Sequence, residues 1–359
     1  MTYQEKIKHI LKISEKVIRD AALENGAIVA ANTDKKYYDR HAKNYHYVWP
    51  RDAAYICVAA KLIGINDIQE PYFDWLLERP EDFKKESTLY QHYSTNGRKA
   101  GKQYQPDQAG TTLWAIWEIY NHDPNQASKY EALIRRLADG LTEDWHGKYF
   151  FKNSADLWEN WYRRTSTKVE NNYTYTLAAC ARGLLCAHAI FKNSKWEKAA
   201  NEMINLINEA YLEDKEYFLR NHGIIDDLNI DASVLGLAWP FEIIEAKDER
   251  FKNTIKKIEE ELVFDGGVKR FQFDYYDGEG TSGEGGGAWP ICNFWMSLAY
   301  IKAGNEKMAK HYFKWVVDRI KDDGMIAEQI FVDYRQGIKP LAWSHAMFIF
   351  AAKELGYLT

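Results

Sequence analysis

The chain has 359 residues and carries 47 Lys and Arg against 52 Asp and Glu, a formal net charge of −5. That balance lacks the basic excess on which nucleic-acid and anionic-membrane binding rely, so neither partner is expected. Division by an ordinary domain length suggests about two domains, although one large helical or α/β barrel is equally ordinary at this size. Aromatic residues make up 15%, with 13 Trp and 24 Tyr. Because Tyr and Trp rings end in a polar group that asks for a partner, the excess points to a ligand whose apolar faces alternate with hydroxyls, and sugars are of that kind.

Taken in chain order, Tyr3, Ile7, Ile10, Leu11, Val17, Ile18, Ala21 and Ala22 recur at three and four residues until Asn25-Gly26 supplies a stop, which predicts an amphipathic helix. The charges spread through Met1 to Lys16 leave no apolar core for a signal peptide. A mean hydropathy of −0.53 and the lack of an unbroken apolar run of about 18 residues predict no membrane span. Val29 to Asn32 reads as a short extended piece. Helical periods follow at 51–63, 69–78, 109–121 and 125–140, then Tyr149 to Lys152 reads as a second extended piece. Further helical periods occupy 174–191, 195–211, 231–239, 248–262, 288–303, 305–320 and 341–355. The long connections between them hold most of the polar and aromatic clusters. With no low-complexity linker to divide the chain, a single domain spanning 1–359 is expected, built of helix hairpins whose loops gather at one end.

Cys57, Cys180, Cys186 and Cys292 lie among apolar residues with no close pair, so they read as buried free thiols, and a reducing, cytoplasmic setting is expected. The ten histidines show no metal-ligand spacing, and no metal or cofactor is expected. Gly278-Glu279-Gly280-Thr281-Ser282-Gly283 has the form of a dinucleotide loop, but no apolar strand precedes it, and Glu279 and Glu284 would repel a pyrophosphate.

Five loops each bring an acid close to aromatic or basic residues: Asn44 to Asp52, Tyr104-Gln105-Pro106-Asp107, Asp156 to Trp161, Lys269 to Asp274, and Ile326-Ala327-Glu328-Gln329. Any one reads equally as a surface charge or a structural pair. Together they supply what glycosidic hydrolysis requires: one carboxyl held protonated for the leaving oxygen and one ionised to activate water or attack carbon. Glu159, between Trp158 and Trp161, is placed where desolvation raises a carboxyl pKa, which suits a general acid. Glu328, beside Gln329, suits a positioned base. Arg51-Asp52 offers a donor fork and an acceptor for two adjacent hydroxyls of a terminal sugar.

The ordered set Tyr45-x-Tyr47-x-Trp49-x-Arg51-Asp52, Asp156-Leu157-Trp158-Glu159, Lys269-Arg270-Phe271 leading to Trp289, and Ala327-Glu328-Gln329 followed by Leu341-Ala342-Trp343-Ser344-His345-Ala346 resembles the glucoamylase family, glycoside hydrolase family 15, over nearly the whole chain. The resemblance implies an all-α (α/α)6 barrel and an inverting, exo-acting α-glucoside hydrolase that releases β-glucose from the non-reducing end of short α-1,4- or α-1,6-linked gluco-oligosaccharides. It assigns Glu159 as general acid and Glu328 as general base. It places Arg51, Asp52 and Arg270 against the sugar, Tyr45 near the attacking water, and Trp49, Trp158 and Trp289 as aromatic walls. Tyr47, Asp107, Asp156 and Asn160 complete the candidate set.

The chain departs from the family in having Asn160 where many members carry a second glutamate, and in the sequence of 160–172; these positions are where the choice of linkage is expected to be made. Neither the N-terminal β-sandwich of many prokaryotic members nor the starch-binding domain of fungal ones is evident. A trehalase of the same family, a histidine-centred (α/α)6 sugar epimerase or isomerase, and a non-catalytic sugar-binding module are the alternatives. Oligomeric state is not legible in the sequence.

Overall fold

The computed structural model describes residues 1–150, 155–160, 171–276, 286–333 and 335–358. Helices dominate: α1 (Tyr3–Ala21), α2 (Pro50–Leu62), α3 (Gln69–Glu78), the single turn α4 (Phe83–Glu86), α5 (Asp107–Ile119), the single turn α6 (Pro124–Ala127), α7 (Glu131–Asp144), α8 (Thr174–Phe191), α9 (Ser194–Glu209), α10 (Glu249–Leu262), α11 (Pro290–Ala303), α12 (Glu306–Arg319) and α13 (Ala342–Glu354). A 310 segment, Ala232–Leu237, stands where a helix over 231–239 is expected.

Two kinds of helix are distinguishable by what they bury. In α10, Phe251, Thr254, Ile255, Ile258 and Leu262 are buried at three- and four-residue spacing, a single apolar stripe on an otherwise charged helix. Four of the outer helices begin on side-chain caps: Thr2 forms a reciprocal capping box with Glu5, and Asn193, Asp248 and Asn305 each accept from a first-turn N–H. By contrast α2, α5, α8, α11 and α13 are buried on nearly every side. These five and Ala232–Leu237 touch in succession, and α13 returns to α2, so the inner elements close a ring. Helices α1, α3, α7, α9, α10 and α12 lie outside it. The described architecture is the expected all-α (α/α)6 barrel. Helix α8 is apolar enough by length and composition to cross a membrane, but it is an inner helix, with 67% of that stretch buried in the barrel.

The barrel axis is filled with rings. Tyr55 packs on Trp114, Trp239 and Trp343, Phe350 stands 4.9 Å from Trp239, and Trp295 joins Tyr175 to Trp343. All four cysteines are free and buried.

Several elements differ from the sequence reading. The period over 125–140 is broken, since Asp123 caps a separate turn at Pro124 and α7 begins only at Glu131. The 231–239 helix is a 310 segment because Gly236 packs against the Tyr175 ring, 2.7 Å from where a Cβ would stand, and Pro240 follows. Val29 to Asn32 is not a strand: Ala30 and Ala31 donate to the carbonyls of Tyr47 and Tyr45 without forming a ladder. Near 149–152, Phe150 makes only an isolated bridge to Trp145, and 151–152 lie outside the described residues.

Three small antiparallel pairs escape the period-two test: β1 (Asn171–Tyr173) with β4 (Asn221–Gly223), β2 (Tyr211–Leu212) with β3 (Tyr217–Phe218), and β5 (Val263–Phe264) with β6 (Gly267–Val268). Two or three residues are too few to show alternation. The last pair did carry a turn signal, Asp265-Gly266, whose φ values of 50° and 78° fit a tight hairpin.

Candidate functional site

The inner helices all start at one end of the barrel, and the loops that lead into them build a pocket of about 300 Å³ there. Two of these starts are written as Trp-Pro. Proline at the first helical position biases the preceding residue towards extended backbone, so Trp49 (φ −95°, ψ 113°) and Trp289 (φ −102°, ψ 119°) stand at the mouths of α2 and α11 and wall the pocket. Arg51 and Asp52 follow in the first turn of α2. The Arg51 side chain is 4% exposed: Nη1 meets Asp107 Oδ2 at 3.1 Å, Nε is 3.3 Å from Asp52 Oδ1, and Nη2 is 3.6 Å from Glu159 Oε1. The guanidinium also lies 5.2 Å from the Trp343 ring centroid. Burial opposes its charge, but the three carboxylates hold it firmly protonated. Burial likewise raises Asp52 to about 6, against the pull of Arg51.

Glu159 is delivered by a strained turn. Its φ is +61°, the left-handed region that a residue with a side chain occupies at a cost. Asp156 makes the turn possible: its Oδ1 accepts from the N–H groups of Trp158 (3.1 Å) and Glu159 (3.2 Å). Asp156 is itself anchored, with Oδ2 taking Arg220 Nε at 2.5 Å. Trp158 is fixed by donating to Asp231 Oδ1 at 2.9 Å. The result is a Glu159 side chain that is 18% exposed, into the pocket, with Trp49 Nε1 donating to Oε1 at 3.1 Å and Gln91 Nε2 donating to Oε2 at 2.5 Å. Burial raises its pKa to about 7, although Arg51 and these two donors pull it down.

Glu328 reaches the same pocket on a separate loop. Its N–H donates to Ile338 and the Gly337 N–H to Gln329, a narrow loop that holds the Ala-Glu-Gln motif rigid. Oε1 accepts from Tyr45 Oη at 2.9 Å, and the Tyr45 and Tyr276 hydroxyls are 3.1 Å apart. Oε2 is buried with no partner among the described residues. Burial raises Glu328 to about 7, opposed by the Tyr45 bond and by Arg270. Arg270 is held by a two-bond fork to Asp274 (2.7 and 2.8 Å) and lies 4.5 Å from the Trp289 ring. The indole N–H groups of Trp289 and Trp343 and the Asn160 amide N–H are also buried without a partner among the described residues, donors suited to hydroxyl oxygens beside aromatic walls.

Of the residues named from sequence, Tyr45, Trp49, Arg51, Asp52, Trp158, Glu159, Asn160, Arg270, Trp289 and Glu328 line this one pocket. Three stand behind its wall: Asp107 beneath Arg51, Asp156 under the Glu159 turn, and Tyr47, whose ring packs edge-on to Trp49 at 6.3 Å. Trp161 and Gly278–Gly285 lie outside the described residues. Sequence reasoning missed Gln91, Tyr276 and Trp343 as lining residues. Trp343 sat in a motif without a role, and Tyr276 was hidden beside the Gly-rich stretch. Gln91 carried no local signal, because only the fold brings it to Glu159.

A family model described as glycosyl hydrolases family 15 matches residues 4–353. An uncharacterized glycosyl hydrolase of Methanocaldococcus jannaschii is 31% identical over 87% of this chain and 51% of its own length. Trehalase 2 of Sulfolobus acidocaldarius is 25% identical over 85% of this chain and 56% of its own. The chain thus spans about half the length of these two relatives. Isomaltose glucohydrolase of Kribbella flavida is 22% identical, with 87% of this chain and 85% of that protein aligned. Among solved structures, a wild-type glycosidase superposes with a TM-score of 0.81 at 20% identity, covering 99% of this chain and 98% of its own. A bacterial glucoamylase complexed with acarbose superposes with a TM-score of 0.77 at 19% identity over 96% of this chain and 55% of its own.

Proposed function

Since the chain belongs to glycosyl hydrolase family 15, we propose that its pocket takes the non-reducing terminal glucose of a short α-1,4- or α-1,6-linked gluco-oligosaccharide and hydrolyses the bond with inversion. Residues 1–359 act in this reading as one catalytic unit. The observation that carries it is a pair of buried carboxyl groups, Glu159 and Glu328, that line one pocket on separate loops, each lifted by burial to about 7. Glu159 lies against the aromatic wall and gives its proton to the glycosidic oxygen as the C1–O bond breaks. Glu328, steadied through Oε1 by Tyr45, has Oε2 free to take a proton from water as the water oxygen attacks C1 from the opposite face. Arg51 and Asp52 hold adjacent hydroxyls, and Arg270, fixed by Asp274, meets the sugar beside the wall that Trp158 and Trp289 form together.

Maltose, isomaltose, panose and trehalose test the assignment, with glucose release followed over time and the new anomer read by proton NMR before it equilibrates. β-Glucose should appear first from maltose or isomaltose. From those two substrates an early excess of the α-anomer over its equilibrium share, or no release from any of the four, would overturn the reading. Trehalase activity is the second reading, supported by relatives named as trehalases. Inverting hydrolysis of an α,α-linked disaccharide frees one β- and one α-glucose in equal amounts, so the same spectrum separates the two.

A further inference from the structure

Glu159 must be a carboxylic acid before the reaction and a carboxylate after it, yet its fixed neighbours suit only the second state. Trp49 Nε1 and the Arg51 guanidinium are donors without acceptor capacity. A protonated Glu159 needs an acceptor for its O–H until the glycosidic oxygen arrives. Gln91 is the neighbour able to serve both states, because a half-turn about its terminal torsion exchanges an NH2 donor for a carbonyl acceptor at nearly the same place.

Its backbone is held still for this task. The Gln91 N–H donates to the Gln103 carbonyl at 2.8 Å, and its own carbonyl accepts from Gln108 Nε2 at 3.0 Å. Gln108 also accepts from the Arg51 N–H and donates to Gln105 Oε1 at 2.7 Å, while Gln105 Nε2 donates to the Asp156 carbonyl at 2.7 Å. Three glutamines therefore tie the Gln91 loop to the start of α2 and to the turn that presents Glu159. On its far side the Gln91 side chain rests, with the neighbouring His92 ring, on Gly101, where a Cβ would come within 2.6 Å of His92 Nδ1 and 2.7 Å of Gln91 Cβ and Oε1.

We propose that Gln91 is a positioning residue for the acid step, keeping Glu159 hydrogen-bonded as acid and as carboxylate by turning its carboxamide when the proton leaves and returns. The orientation described here, with Nε2 on Oε2, is the carboxylate-side half of that cycle. The proposal rests on the reading of Glu159 as general acid.

The leaving group provides the test. α-Glucosyl fluoride departs with little protonic assistance, whereas maltose or isomaltose needs its glycosidic oxygen protonated. Gln91→Leu keeps the bulk and removes both donor and acceptor. Its kcat on the oligosaccharide should fall about ten- to a hundredfold, part of what a general acid contributes, with KM and the rate on α-glucosyl fluoride little changed. Gln91→Met, a second near-isostere without the amide, should show the same selective loss, so the test survives poor folding of the first variant. Equal losses on both substrates, or none on the oligosaccharide, would overturn the role of Gln91. Failure of the wild-type protein to cleave any α-glucoside would instead remove the functional reading beneath it.

Discussion

At the scale of single residues, the pocket holds two acids lifted by burial to about the same value, near 7. The proposed mechanism asks one to be protonated and the other ionised, and with both values alike that form is most populated at intermediate pH. A base must lose its proton, so activity should rise with pH through the Glu328 titration; an acid must keep it, so activity should fall through the Glu159 titration. The expected profile of kcat/KM on an oligosaccharide is a bell with its maximum close to pH 7. Glu159→Gln should cost about two to four orders of magnitude on oligosaccharides while sparing α-glucosyl fluoride, and on the fluoride its alkaline limb should vanish and its acidic limb remain. Glu328→Gln should be inactive on both. A Glu159→Gln profile that keeps the alkaline limb would transfer that limb to another group, such as Asp52, a further raised carboxyl of the pocket. These residues were legible from sequence because each sits in a short motif whose neighbours already imply its environment. Gln91 and Tyr276 were not, since their roles depend on side chains far away in the chain.

Elements position these residues through a few polar ties, and the clearest joins α1, α13 and the loop that carries Glu328. His345 of α13 is fully buried, and its Nε2 accepts the Ile326 N–H at 3.0 Å. With Nε2 accepting, the ring proton must be on Nδ1, which donates to Ser14 Oγ of α1 at 2.8 Å, and the Ser14 hydroxyl passes on to the Ile10 carbonyl at 2.8 Å. Every member is satisfied only while the imidazole is neutral, and burial, weakly opposed by Asp323, lowers its pKa to about 3. A histidine depressed in the folded state takes up its proton first in the unfolded chain. Stability is therefore full above the unfolded value of about 6.5 and is lost as pH falls from there towards about 3, with a limiting slope of about 1.4 kcal/mol per pH unit. His345→Gln has no proton to take up. It should be less stable than wild type at pH 7.5 yet lose less stability between pH 7.5 and 5, as read from urea midpoints; parallel pH dependences would assign the acid sensitivity elsewhere. None of this was visible in the sequence, where His345 belonged to a motif but its partners at 14 and 326 lay hundreds and tens of residues away.

For the whole molecule, the number and order of helices were legible because both inner and outer helices keep an apolar pattern, while the distinction between them was not. A helix buried on all sides and one with a single stripe both satisfy a three-and-four spacing, and only packing separates α13 from α10. Closure of the inner ring depends on how near neighbouring helices come, and α5 and α8 meet through glycines. A Cβ at Gly110 would stand 2.5 Å from the Ala179 carbonyl carbon and oxygen, and one at Gly183 would stand 2.4 Å from the Gly110 oxygen. Glycine inside a helix costs about 1 kcal/mol relative to alanine, so at an open site Gly→Ala would stabilise. Here the added methyl forces two backbones apart, and overpacking of this sort costs about 1–3 kcal/mol. Since α5 also starts at Asp107, which holds Arg51 at the pocket floor, the displacement is carried to the site. Gly110→Ala should therefore lower the urea midpoint and weaken substrate binding together. Lys198→Ala on the exposed face of α9 should leave both within about 0.5 kcal/mol of wild type. If Gly110→Ala were as stable as the parent, the inner ring would have slack that the glycine contacts deny. If it lost stability with KM intact, the pocket floor would be insulated from the packing of α5 on α8.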